Sequence, residues 1–141
     1  MDEGVADEMA AQAGSPDVAE RVRAAARLAD RHGGYTWDLL ARLLHDVDAA
    51  VCGAAASTLL ARGDRGWDLV LDAVWRSDDV GVGESLRAAF VDLLVAGDDV
   101  ESELVRREQQ SSSPAVQRGA REMLMALDMR PVEVIDDEDE T

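Results

Sequence analysis

Lysine and asparagine are missing from this sequence, and isoleucine, tyrosine and phenylalanine occur once each. Sheets draw on Ile, Tyr, Phe and Thr, so this scarcity argues against a β-fold. The hydrophobic fraction is still 47%, enough for a core, but it is mostly Ala, Leu and Val. Such a composition suits helices that approach one another closely. All 14 cations are arginine, which with the absent Asn points to a GC-rich, bacterial coding sequence. Cys52 is the only cysteine, so no internal disulfide forms and a reducing compartment is expected. No apolar run approaches the ~18 residues of a membrane span. The opening Met1-Asp2-Glu3 is the reverse of a basic secretory signal. These features together predict a cytoplasmic location.

The chain of 141 residues fits one domain. Its net charge of −16 is unevenly spread. Residues 1–14 carry four acids and no base, and residues 131–141 carry six acids and no base. A chain of this charge repels phosphate backbones, so nucleic-acid binding is disfavoured. A basic protein partner is allowed by the same argument but not required, since acidic surfaces also keep proteins soluble.

A helical unit recurs along the middle of the chain, and this is the strongest signal in the sequence. Ser15-Pro16-Asp17 reads as a helix start, with Ser15 as N-cap and Pro16 at the first position. Val18, Val22, Ala25 and Ala29 follow at helical spacing, and Gly33-Gly34 ends the helix. A second helix is expected from Thr36. The run Ala24-Ala25-Ala26 returns as Ala54-Ala55-Ala56, Gly33 as Gly63, and Trp37-Asp38-Leu39 as Trp67-Asp68-Leu69. A further shift maps Ala54-Ala55 on Ala88-Ala89 and Gly63-Asp64 on Gly97-Asp98. A last one maps Ala89 on Ala120 and Leu93 on Leu124. First helices are predicted over residues 16–31, 48–62, 84–96 and 114–128, and second helices over 36–45, 66–77 and 99–109. Short connections make successive helices antiparallel, and such pairs bury their apolar faces by stacking.

The copy running from Asp46-Val47 through Val51 and Ala54-Ala55-Ala56 to Leu59 resembles a HEAT repeat. The family pattern is an acidic start, a Val, a small-residue run and a Leu eight positions after the Val. The resemblance covers residues 15–129, in repeats of 15–46, 47–78, 79–110 and 111–129. Copy three has Ser85 where the Val belongs, and the usual Arg after Val appears only as Val22-Arg23. The resemblance implies an all-α, right-handed α-α superhelix, an armadillo-type solenoid of about seven helices. Residues 1–14 would form a frayed acidic segment with one or two helical turns. Residues 130–141 would form a disordered acidic tail, or a strand added to a partner's sheet edge. HEAT-like proteins are mostly scaffolds, adaptors and inhibitors that bind through the concave face. The functional expectation is therefore a protein-binding module and not an enzyme, one version being an immunity or antitoxin-like inhibitor of a basic partner. The alternative is an enzyme of the HEAT-like minority, such as a bilin-type lyase or a DNA glycosylase. The glycosylase would need a basic groove, which the composition does not supply.

No residue set reads as catalytic, cofactor-binding or metal-ligating. Cys52 lies in a small-residue run with no local cation to lower its pKa, so it reads as a core residue. His32 and His45 close successive helices, and neither has a Ser or Cys at triad spacing or a metal-ligand partner. Gly81-Val82-Gly83 reads as a flexible connector. Trp37 and Trp67 are expected to pack between repeats. The column His45–Trp75–Gln109 alternates residue types as a core column seldom does, and its neighbour reads Arg42–Asp72–Arg106. These six form the candidate partner-binding ridge, with Trp75 as anchor.

Overall fold

The computed structural model describes residues 3–129. The expectations for the tail at 130–141 lie outside them. Among the described residues the protein is all-helical, with no strand. In chain order the helices are α1 (Glu3–Ala13), α2 (Val18–Arg27, extended by a 3-10 turn at Leu28–Asp30), α3 (Gly34–Leu44), α4 (Ala49–Leu60), α5 (Asp64–Arg76), α6 (Val80–Val95), α7 (Val100–Gln110) and α8 (Pro114–Ala126). That makes eight where about seven were expected. The addition is α1, in which Met9 is fully buried. An apolar anchor at its centre ties residues 3–13 down as a helix of three turns, in place of the expected frayed end.

Local chemistry accounts for the helix starts. Asp17, Asp48, Asp79 and Asp99 cap α2, α4, α6 and α7, each carboxylate accepting a backbone N–H of the first turn at 2.9–3.1 Å. Ser113 caps α8 ahead of Pro114. A carboxylate also suits the positive end of the helix dipole. This corrects the start of α2: Asp17 is the cap, and the Ser15 hydroxyl accepts from the Asp17 N–H instead. Gly81-Val82-Gly83 is likewise no connector. Asp79 captures the Val82 N–H and draws these residues into α6. Gly33 and Gly63 have φ of 111° and 87°, which L side chains rarely adopt. Each is the N-cap of the helix that follows, α3 or α5, a few residues after the preceding helix has ended.

Helix α4 is the centre of the amino-terminal two thirds. It packs on α2, α3, α5 and α6, burying Val51, Ala55, Ala56 and Leu59 completely. Small residues set the spacing. Thr58 Oγ1 donates to the Ala25 carbonyl of α2 at 3.2 Å, and a methyl at Gly53 would press on Ser85 of α6. The runs at Ala24–Ala26, Ala54–Ala56 and Ala88–Ala89 thus fall on the successively packed α2, α4 and α6.

The fourth copy departs from this order. Helix α8 packs on α5 and α7 and barely meets α6, so Ala120 does not continue the series through Ala89. Gly119 is the reason: a Cβ there would overlap the Leu71 carbonyl of α5. Lacking one, α8 seats directly on the α5 backbone. Glu122, Met123 and Ala126 then lie beside Val74 and Ser77, so α8 runs in the same direction as α5. Gly66 has the same role in the preceding layer, where a Cβ would overlap the Leu59 carbonyl of α4. No helix among the described residues is long and apolar enough to cross a membrane.

Gly66→Ala and Gly119→Ala should each lower the unfolding free energy by about 2–3 kcal/mol through overpacking. Gly83→Ala, in α6 with open space around it, should raise it by about 0.5–1 kcal/mol. Urea unfolding followed by circular dichroism separates the two outcomes.

Candidate functional site

Because α8 leaves α6, a cleft opens between them. Its floor is Val74 at the end of α5, with Met123 and Ala126 of α8. Its walls are the first turns of α6 and the Ser77–Asp79 link, and its volume is about 350 Å³. Four carboxylates line it, those of Asp78, Asp79, Glu84 and Glu122, against the single cation Arg87. Asp79 is occupied as the α6 cap. Glu122 is half-buried, and burial alone pushes its carboxyl above the ordinary range. It forms no ion pair among the described residues. At the mouth, Val80 is 76% exposed.

Trp75 stands beside this cleft, exposed, with the Arg118 guanidinium of α8 5.0 Å from its ring centre. The six residues of the candidate ridge are only partly gathered. His45, at the end of α3, shares a hollow of about 160 Å³ with Arg76 and Ser77 at the end of α5. Asp72 pairs with Arg76 at 2.9 Å. These positions and Trp75 lie at one end of the helices, whereas Arg42 reaches towards Gly14. Arg106 and Gln109 are elsewhere. Arg106 pairs with Asp64 at 3.0 Å, at the opposite end of α5 from Trp75, because the end of α7 lies over the start of α5. The residues beside Trp75 are therefore Arg118 and its α8 neighbours, not Gln109. Matching the repeats misses them because Ala120 and Leu124 align well with a first helix. The one signal to the contrary is Gly119, a mid-helix glycine like Gly66.

The end of α7 is held by charge. Arg107 is 4% exposed and lies 4.8 Å over the Trp67 ring, while bonding Asp64 and Glu103 and approaching Asp68 at 3.5 Å. Trp67 in turn meets Phe90 of α6 edge-on at 5.4 Å. Hydrogen bonds from Arg106, then the Arg107 charge, hold the Asp64 carboxyl below the ordinary range; bonds from Arg107 and Arg106 do the same for Glu103. Trp37, the repeat-equivalent of Trp67, lies under Arg65 at 4.3 Å and Arg62 at 5.1 Å. Arg62 also donates to the carbonyls of Leu28, Ala29 and Arg31, closing the end of α2. Both tryptophans thus join neighbouring helix pairs.

Cys52 is buried, and its thiol donates to the Asp46 carbonyl at 2.9 Å. Burial pushes its pKa up, and the Asp46 and Asp48 carboxylates add to the rise, the opposite of an activated nucleophile. Asp46 also takes a two-point bond from Arg21 at 2.9 and 3.2 Å, tying α2 to the α3–α4 turn. Among the described residues there is no cluster of three or more His, Cys, Asp or Glu that could hold a metal ion. No family model, curated protein or solved structure matches the chain.

Arg107→Ala should destabilise the protein by about 2 kcal/mol, through loss of the buried stacking and charge-assisted bonds. Arg106→Ala should leave the urea midpoint nearly unchanged, since exposed pairs contribute little. Asp64 and Glu103 have depressed folded pKa values, so their stabilisation is present above the unfolded pKa of about 4 and is lost as pH falls through the folded values. Amide protection factors in α7, which remove the intrinsic pH dependence of exchange, should therefore fall on acidification below about pH 4, and Arg107→Ala should flatten that dependence.

Proposed function

We propose that the chain is a protein-binding module built on a short HEAT-like stack, and that its binding face is the cleft between α5, α6 and α8 with the adjoining Trp75. The observation that carries this reading is the combination of an apolar floor with a rim of four carboxylates facing one arginine. Such a surface is complementary to a basic, partly apolar protein segment and repels nucleic acid. Trp75 supplies a large side chain held in place by Arg118, and tryptophan is enriched among residues that dominate binding energy. This moves the binding face away from the Arg42–Asp72–Arg106 column towards the residues that α8 brings to Trp75. An inhibitor of a basic partner, of the immunity or antitoxin kind, and an adaptor for a basic protein both fit this surface. A bilin-type lyase would need a more enclosed site with convergent polar groups. The open cleft favours the binding module.

A photo-reactive benzoylphenylalanine in place of Val80, expressed in cells of the source organism, should give a discrete covalent adduct with a basic protein. The adduct should fade with rising salt and in an Asp78→Asn, Glu84→Gln background. The same group in place of Val18 on α2 should not give it. Absence of any adduct from position 80, or identical products from both positions, would overturn the reading.

A further inference from the structure

The cleft has a shape and charge that narrow its occupant further, given the binding reading above. Its volume of about 350 Å³ is at the low end for ligand pockets, about 300–1,000 Å³. That suits one inserted side chain better than a helix. The inner surface is apolar, from Val74, Met123 and Ala126, while Glu122 offers a half-buried carboxylate with no ion pair among the described residues. A side chain matching both needs a long aliphatic stem and a cationic end.

Two other occupants are disfavoured by charge. A second copy would bring its own net charge of −16 towards four carboxylates. Residues 130–141, which follow α8 in sequence, carry six acids and one base, Arg130, so as a segment they are strongly acidic and do not complement the cleft either. The occupant comes from a different, basic chain.

We propose that the cleft receives one arginine side chain of a protein partner, its guanidinium on Glu122 and its stem along Val74 and Met123. Arginine fits better than lysine for two reasons. Its planar fork makes paired bonds to a carboxylate, and it sheds water more readily at an apolar wall. The protein uses the same arrangement internally, with Arg107 buried between the Trp67 ring and the carboxylates of Asp64 and Glu103.

The test is an NMR titration of the full chain with a nine-residue peptide carrying one central arginine between leucines, alongside its lysine and citrulline counterparts. The arginine peptide should produce saturable amide shifts confined to residues 74–87 and 118–126. Glu122→Gln should weaken it at least about tenfold, the loss of one charge-assisted bond, while Glu101→Gln on α7 should leave it unchanged. Circular dichroism checks that both variants stay folded. Citrulline should not bind, and lysine should bind more weakly. Shifts scattered over the acidic surface, equal binding of the lysine peptide, or indifference to Glu122→Gln would each overturn the proposal. A chain that gives the position-80 adduct but does not bind the arginine peptide loses the arginine anchor and keeps the binding reading. Peptide binding at the cleft without any cellular adduct does the reverse.

Discussion

Leu71 and Gly119 bring the backbones of α5 and α8 together with no side chain between them. Helices normally pack 8–10 Å apart, separated by the side chains at their crossing. A glycine at the crossing shortens that distance and fixes where along each helix the contact falls. Once α8 is seated on α5, it cannot also lie beside α6. The gap left between α6 and α8 is the cleft. The link at Ser111–Ser113 is short, so α7 must fold back along α8, which delivers Arg107 to the start of α5. One missing methyl group thus determines the order of helices in the last third of the protein.

Arginine supplies the ties that apolar packing does not. Each of the three tryptophans carries a guanidinium over its ring, contributed by a residue from another helix or an interhelix turn. Arg62 closes the carbonyl end of α2, and Arg21 joins α2 to Asp46 with two bonds. Lysine could not replace these contacts, since it has neither a planar face to stack nor a fork to bridge two acceptors. In a core so poor in aromatics, the large flat side chains are spent at the joints between helix pairs.

The helices are legible in the sequence because their caps and glycines are local signals. Asp48, Gly33 and Gly63 each announce a boundary within a few residues, and the Ala runs mark the faces that pack in α2, α4 and α6. What is not legible is the choice among partners for α8. Its Ala120 and Leu124 suit burial against any apolar helix face, so the pattern cannot tell α6 from α5. That choice depends on Gly119 meeting Leu71, a contact between residues 48 positions apart that no periodicity encodes. The candidate ridge fails in the same place. Trp75 is exposed, as its mixed column predicts, but its α8 neighbours follow only from the tertiary arrangement. At α1, Gly4 and the acids argue for fraying, while the burial of Met9 decides the outcome.

The charge pattern separates acids that serve the fold from acids that do not. Asp46, Asp64, Asp72 and Glu103 each meet an arginine within 3.0 Å, and Asp79 holds the start of α6. Asp78 and Glu84 have no such partner among the described residues, and α6 needs only one cap. Glu122 is placed where burial works against its charged form, so the fold gains nothing from keeping it ionised. A half-buried carboxylate that the fold leaves without an ion pair among the described residues is a local inconsistency between sequence and fold, and such a place points to a demand other than folding. Here the inconsistency coincides with the break in the packing order of the helices, where α8 turns from α6 to α5. On the proposed reading, one event, the arrival of a cation with an apolar stem, would resolve both the gap and its unbalanced charge.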